Sequence, residues 1–269
     1  MIKVFVLLYI FVFGLIIGSF LNSVIYRLHK KKDLIFARSI CPHCKHTLSF
    51  FDLIPVFSFL FLKGKCRYCK KPISWQYPAV ELSCGFLFVL ITYFLLFSSA
   101  SIESNTFEVW FSWICYLLIF SVLVVIFVYD LKYLIIPDSI LLLGIFFSII
   151  LIGFLSFQGS YLIILDRILG VILISGFFLL QFLFSKGKWI GFGDVKLGIL
   201  LGLILGWEKS LLMLFLSYLI GGIISLGLIG FKKKNLKSEI PFGPFLILST
   251  IISYFLGDKI ISWYLNQFL

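Results

Sequence analysis

Apolar residues fill this chain in long runs separated by polar breaks. The runs lie at about 2–25, 79–98, 109–129, 139–157, 161–184, 195–207, 210–230 and 242–257, and charged residues are few within them. A helix that crosses a bilayer needs roughly 20 mostly apolar residues. The pattern therefore predicts an all-α polytopic membrane protein with about eight transmembrane helices. The run at 195–207 is short and glycine-rich, which predicts a tilted span or one that begins within 185–194. The last run has room to continue toward residue 269. The first is preceded only by Lys3, is long for a signal-peptide core, and leads into no small-residue cleavage motif. It is expected to remain as a span.

The stretch from His29 to Tyr77 breaks the pattern. It carries ten basic residues (Lys30, Lys31, Lys32, Arg38, Lys45, Lys63, Lys65, Arg67, Lys70, Lys71) against two acids, Asp33 and Asp52. Loops rich in Lys and Arg stay cytoplasmic, so this loop is expected inside the cell and the N-terminus outside. Eight spans then put 130–138, 185–194 and 231–241 on the cytoplasmic side. Two of these loops are basic, with Lys186 and Lys188 in one and Lys232, Lys233, Lys234 and Lys237 in the other. The opposite loop, 99–108, carries Glu103 and Glu108 and no base. The expected organisation is a first span over 1–28, a cytoplasmic loop domain over 29–78, and a membrane domain of about seven spans over 79–269.

Composition agrees. The chain is 61% hydrophobic with 33 Phe and a mean hydropathy of +1.13, where soluble domains average about 45–50% apolar. The net charge of +11 would suggest nucleic acid in a soluble protein. Here the bases gather in particular loops, so the expected partner is the lipid bilayer and no nucleic acid.

Two C-x-x-C knuckles lie in the basic loop, Cys41-Pro42-His43-Cys44 and Cys66-Arg67-Tyr68-Cys69. Each can aim two thiolates at one ion, and together they complete a tetrahedral zinc site. A cytoplasmic loop disfavours disulfides. Cys41, Cys44, Cys66 and Cys69 are the expected ligands of a structural zinc, since four thiolates leave no open position for water. The competing reading is two thiol pairs without metal. His43 and His46 are spare ligands, and Cys84 and Cys115 are expected in the core. Between the knuckles, the apolar stretch Phe50–Leu62 is too short to span. It lies either on the membrane surface or in the loop's own core.

Two carboxylates stand at the ends of apolar runs. Asp194 follows two glycines in Gly191-Phe192-Gly193-Asp194, and Asp130 opens Asp130-Leu131-Lys132-Tyr133-Leu134-Ile135-Ile136-Pro137-Asp138. An ionisable group beside hydrocarbon is a functional candidate. Two carboxylates held together share a proton, which leaves one as base and one as acid for water attack on a peptide. Asp194 opens a helix and Asp130 closes one, which makes Asp194 the expected base and Asp130 the acid. Asp138 is expected to cap its helix. Gly18, Ser19, Asn22 and Ser23 belong either to a helix–helix face or to a substrate site. The zinc-protease and serine-nucleophile motifs H-E-x-x-H and G-x-S-x-G are absent from the chain.

These motifs occur in order along nearly the whole chain. With them come Gly18-Ser19-Phe20-Leu21-Asn22, Asp52-Leu53-Ile54-Pro55-Val56, Tyr77-Pro78, Glu81-Leu82 and Pro241-Phe242-Gly243-Pro244-Phe245. In this set the chain resembles the bacterial type IV prepilin peptidases, which are membrane G-x-G-D aspartyl proteases. The resemblance implies that 79–269 is the protease domain and that Asp130 and Asp194 are its catalytic aspartates. It implies zinc on Cys41, Cys44, Cys66 and Cys69. It further implies cleavage of the basic leader of prepilins and pseudopilins after a glycine at the cytoplasmic face of the bacterial inner membrane. Many members then N-methylate the new terminus with S-adenosylmethionine. No glycine-rich nucleotide loop marks that second site, and Glu81 is its one named candidate. Two other classes stay open on the residues alone, a transporter that couples ions through the aspartates and a non-catalytic assembly scaffold. The oligomeric state is not encoded in any motif.

Overall fold

The structure, a computed structural model, describes residues 1–31, 33, 38–98, 106–157, 161–230 and 240–268. The lysines expected at 32 and 232–237, together with Glu103, lie outside the described residues. All regular structure among the described residues is helical, apart from two isolated β-bridges. The helices are α1 (Ile2–His29), the short α2 (Phe57–Phe61), α3 (Gln76–Thr92) with a further turn Tyr93–Ser98, and α4 (Thr106–Tyr133). They continue with α5 (Asp138–Ser156), α6 (Tyr161–Ser185), α7 (Phe192–Gly230) and α8 (Gly243–Phe268). Seven of them are long and apolar enough to cross a membrane. The chain divides into two compact units, Met1–Val125 and Ile126–Leu269.

In the first unit α1 lies on α3 through small residues. A Cβ added to Gly14 would sit 2.8 Å from Gly85 Cα, and one added to Gly18 would sit 2.7 Å from Glu81 Cα. Backbones approach this closely only where side chains are absent, which is how spanning helices pack without a hydrophobic drive. One turn on, buried Asn22 donates to the Tyr77 carbonyl at 3.0 Å. Gly18 and Asn22 thus belong to the helix–helix face. Cys84 and Cys115 are buried, as expected of core thiols.

In the second unit the runs at 195–207 and 210–230 form the two arms of α7, which is broken at Gly206 (φ 75°, ψ −175°). This backbone region is essentially reserved for glycine. The chain reverses there. In the first arm Phe192 meets Phe182, Gly198 abuts Ser175, and Gly202 abuts Gly170 and Val171. In the second arm the Tyr218 hydroxyl returns to Gln181. The first arm therefore runs antiparallel to α6 and the second parallel to it. A straight helix of this length would measure about 55 Å, far beyond a hydrocarbon core of about 30 Å. The hairpin restores eight passes, the sixth being short as its sequence predicts.

Two side chains of α6 secure the break. Asp166 accepts the Trp207 N–H at 3.0 Å, and Arg167 donates to the Ile204 carbonyl. A carboxylate thus serves the open N-terminus of the second arm and a guanidinium the open C-terminus of the first.

Candidate active site and metal centre

Asp130 lies in the last turn of α4, not in a loop, and its side chain is buried. Asp194 lies in the first turn of α7. The charge of Asp130 acts on Asp194, so the fold brings together the two carboxylates that the sequence singles out. Asp194 accepts a backbone hydrogen bond from Gly191, the residue just before its helix begins. Asp130 accepts one from Gly243, the first residue of α8. Each carboxylate therefore faces the N-terminal end of a helix, where unpaired N–H groups point outward. Helix ends consequently do not separate base from acid, contrary to the assignment drawn from Asp130 closing α4.

Asp138 is a second correction. It is the first residue of α5, Pro137 is the cap, and no side-chain cap bond forms. The Asp138 carboxylate instead pairs with Lys196 at 2.8 Å. This ties the start of α5 to the start of α7, and Gly193 packs on Ile136 there, 3.3 Å from an added Cβ to Cδ1. Asp194 is thus held from the α5 side by an ion pair and an apolar contact.

Gly243, Tyr218 and Gln181 carry no role in the sequence reading. Tyr218 hydrogen-bonds Gln181 at 3.0 Å, stacks on Phe242 at 5.2 Å, and feels the charge of Asp194. The available signal for Gly243 was Pro241-Phe242-Gly243-Pro244, a turn just ahead of a helix. For Tyr218 and Gln181 it was a polar group on each of two apolar runs.

The four knuckle cysteines gather their sulfur atoms within 4.8 Å of one another, and Cys41 Sγ lies 4.0 Å from Cys69 Sγ. Tetrahedral zinc with Zn–S near 2.3 Å sets its sulfurs about 3.8 Å apart, so the donor set fits. The two knuckles are built alike. Cys41 N–H donates to the His46 carbonyl and Lys45 N–H to the Cys41 carbonyl, both at 2.9 Å; Cys66, Lys71 and Lys70 repeat this at 2.9 and 3.0 Å. Lys45 and Lys70 both take positive φ, at 59° and 58°. Burial opposes charge on Cys41, but the backbone N–H groups of Cys44 and His43 and the nearby thiols outweigh it and bring its thiol down to about 7. A thiolate is the form that binds metal. His46 stacks on Tyr68 instead of joining the cluster.

Asp52 locks the second knuckle to the segment before it. Its carboxylate pairs with Arg67 at 2.7 Å and accepts the Ser49 hydroxyl at 2.8 Å. Burial works against its charge, but the Ser49 and Arg67 bonds outweigh it and hold the carboxyl below the ordinary range. The apolar segment beside it is not the core of the loop. Phe50 is 80% exposed and Phe61 83%, and only Phe59 is buried, against Trp75. Exposed aromatic residues in a membrane protein suit the interface with lipid headgroups.

Glu81 is buried in α3, 7% exposed. Its carboxylate accepts the Val56 N–H at 2.7 Å and a bond from the Ser19 hydroxyl.

Comparison with known proteins agrees with this architecture. The bacterial peptidase A24 N-terminal domain matches residues 12–95, and the type IV leader peptidase family matches residues 117–226. A prepilin leader peptidase/N-methyltransferase of Aeromonas hydrophila is 32% identical over 97% of this chain and 94% of its own. The chain belongs to the type IV leader peptidase family. Relatives of the same description in Bacillus subtilis (30% identical, 97% of this chain and 98% of the relative) and Legionella pneumophila (31%, 98% and 96%) span it as fully. This is a protease family of multi-pass inner-membrane proteins, so the transporter and scaffold readings lose their support. No solved structure matches the chain significantly.

Proposed function

We propose that this family member is an aspartyl endopeptidase that removes the leader of prepilins and pseudopilins after glycine, and then N-methylates the new terminus. The observation that carries the peptidase half is the meeting of buried Asp130 with Asp194, each facing a helix N-terminus. One carboxylate, ionised, takes a proton from water, and the resulting hydroxide attacks the scissile carbonyl. The other, protonated, gives its proton to the carbonyl oxygen; as the C–N bond breaks, the first passes the proton it took from water to the departing amine, and the second takes one back from the gem-diol hydroxyl. Close like charges create that one-proton state. Gly191 has only ordinary van der Waals neighbours, the nearest being Asp194 Oδ2 at 3.7 Å from an added Cβ, and so leaves room for a substrate backbone beside the pair.

The methyl-transfer half is supported by the relatives, which are prepilin leader peptidase/N-methyltransferases. The donor supplies a methyl group on a sulfonium; the substrate amine's lone pair forms the N–C bond as the C–S bond breaks, leaving a thioether, and the amine releases its proton to solvent. Cys41, Cys44, Cys66 and Cys69 hold a structural zinc that shapes the loop. The same reading has the 29–77 loop, Asp130 and Asp194 at the cytoplasmic face, supported by the basic residues of that loop and an even number of passes.

The test is a purified enzyme in detergent, mixed with a prepilin whose leader ends in glycine, with cleavage followed by mass. Wild type is expected to cut, while Asp130→Asn and Asp194→Asn lose at least a thousandfold. Addition of S-adenosylmethionine is expected to add about 14 Da to the new N-terminus. Cleavage by either Asn variant at the wild-type rate would refute the pair.

A further inference from the structure

In the second unit an open groove of about 690 Å³ runs between α6 and the second arm of α7. Leu173 and Phe177 of α6 form one wall, and Leu211, Leu214, Phe215 and Tyr218 of α7 form the other. The α7 residues recur at i, i+3, i+4 and i+7 and the α6 residues at i and i+4, so each set falls on one face of its helix. The next position in the α6 series is Gln181. Two apolar stripes that run in the same direction thus both end on a polar group. The two groups meet, the Tyr218 hydroxyl donating to Gln181 at 3.0 Å. From Leu211 to Tyr218 the helix rises about 10 Å.

The head of the groove adjoins the carboxylate pair. The Tyr218 ring lies 5.2 Å from that of Phe242. Gly243, next in the chain, gives its N–H to Asp130, and the charge of Asp194 reaches the Tyr218 side chain. Phe177 meets Tyr218 edge-on at 6.1 Å. From Tyr218 the groove leads away from the pair, back along both helices toward Leu173 and Leu211. It is open to its surroundings, with Phe215 64% exposed and Tyr218 43%. The Tyr218 bond uses the amide oxygen of Gln181, and an amide carries two N–H donors besides.

We infer that this groove seats the apolar segment that follows the scissile bond of the substrate, with Gln181 and Tyr218 holding the main chain at its head. The inference rests on the peptidase reading above and gives that site its docking surface. A chain cut by Asp130 and Asp194 at a membrane face continues either into water or into hydrocarbon. The groove starts beside the pair and is lined by Leu and Phe, which fits the second course. A helix laid in such a groove anchors through side chains at i, i+3, i+4 and i+7, the spacing that the α7 wall itself presents. Acyl chains would cover the Leu and Phe side chains but offer nothing to the amide and the phenol, and a polar group set against hydrocarbon without a partner is costly. A substrate chain opened for cleavage has main-chain groups without helical partners, and these can pair with the Gln181 N–H groups and the Tyr218 oxygen.

The full-length enzyme in detergent is assayed against an intact prepilin. Leu211→Trp, which fills the groove, is expected to raise KM roughly tenfold or more with kcat nearly unchanged, the mark of lost substrate binding. Gln181→Leu and Tyr218→Phe are each expected to raise KM several-fold. Ile172→Trp, on α6 outside the groove and 62% exposed, should cleave as wild type. Separately, Asp194→Asn is mixed with the same prepilin carrying a benzophenone side chain a few residues beyond the scissile bond, irradiated and digested. The cross-link is expected in the peptide holding 173–181 or in that holding 211–219. Wild-type KM in both Leu211→Trp and Gln181→Leu, or a cross-link found only elsewhere, overturns the inference and leaves the groove to lipid. If Leu211→Trp does not fold, the cross-linked peptide decides. A wild type that cuts no prepilin refutes the peptidase reading itself, and this seat with it.

Discussion

Gly243 presses its backbone against the Asp130 carboxylate so closely that a Cβ there would lie 2.5 Å from Oδ2. The same glycine donates its N–H to Asp130 and begins α8. Position, hydrogen bond and helix end are therefore one device. Gly243→Ala must displace either the carboxylate or the start of α8. A misplacement of about 1 Å costs catalysis on the order of 100-fold, so that loss in kcat is expected in a cleavage assay. Gly222→Ala is the control, since an added Cβ there meets nothing within 4 Å. It should cleave as wild type. Equal activity in the two variants would count against the proposed role of Asp130.

The α7 hairpin makes a separate prediction about stability. Gly206→Ala puts a side chain at φ 75° and into the Asp166 carboxylate. Strain of this kind costs about 1–3 kcal/mol before the clash is added, so a clear drop in detergent melting temperature is expected. Asp166→Ala removes the acceptor for the Trp207 N–H, and loss of a helix cap costs about 0.5–2 kcal/mol. Asp166→Asn keeps an acceptor oxygen and should melt near wild type. If all three melt alike, Asp166 does not secure the turn.

Zinc is expected at one equivalent per chain by elemental analysis. Cys41→Ser and Cys66→Ser, one from each knuckle, should both lose it, because each removes one of only four gathered sulfurs. Metal and loop structure are coupled, so chelation should loosen the backbone at the exposed Lys45, Lys63, Lys65 and Lys70 and make it cleavable by trypsin. Loss of metal without new cleavage in the loop would argue against a structural role.

Asp52 predicts a pH dependence of the loop. Its folded carboxyl titrates below the ordinary value, near 3.9 in an unfolded chain. Its contribution is therefore fully present above about pH 4 and is lost as pH falls through the lower folded value. Asp52→Asn should lower loop stability at pH 7, and the gap to wild type should close in acid below about pH 4, read by trypsin-independent fluorescence of Trp75. A gap that persists undiminished at the lowest pH would mean that the Arg67 pair is not its source.

Much of this protein is legible from the order of residue types alone. Apolar run length decides the spans, because hydrocarbon leaves the backbone no partner but itself. The observed helices Gln76–Phe97, Phe107–Tyr133 and Tyr161–Ser185 track the runs at 79–98, 109–129 and 161–184. The paired C-x-x-C spacing announces the cysteine cluster, since metal chemistry demands four donors whatever the fold. A carboxylate at the edge of an apolar run announces itself through the cost of its charge.

What tertiary structure alone decided is how groups distant in sequence meet. Gly243 reaches Asp130 across 113 positions, and no local pattern encodes that contact. The lysine that pairs with Asp138 comes from α7, which is why the capping role expected from Pro137-Asp138 does not hold. Glu81 shows both sides. The family resemblance names it in the sequence, but its burial and its partners, Ser19 and Val56 on two other segments, come from packing. Hydrophobic periodicity and donor chemistry are properties of the chain and can be read along it. Hydrogen-bond partners across elements are a property of packing, and they exist only once the helices have closed on one another.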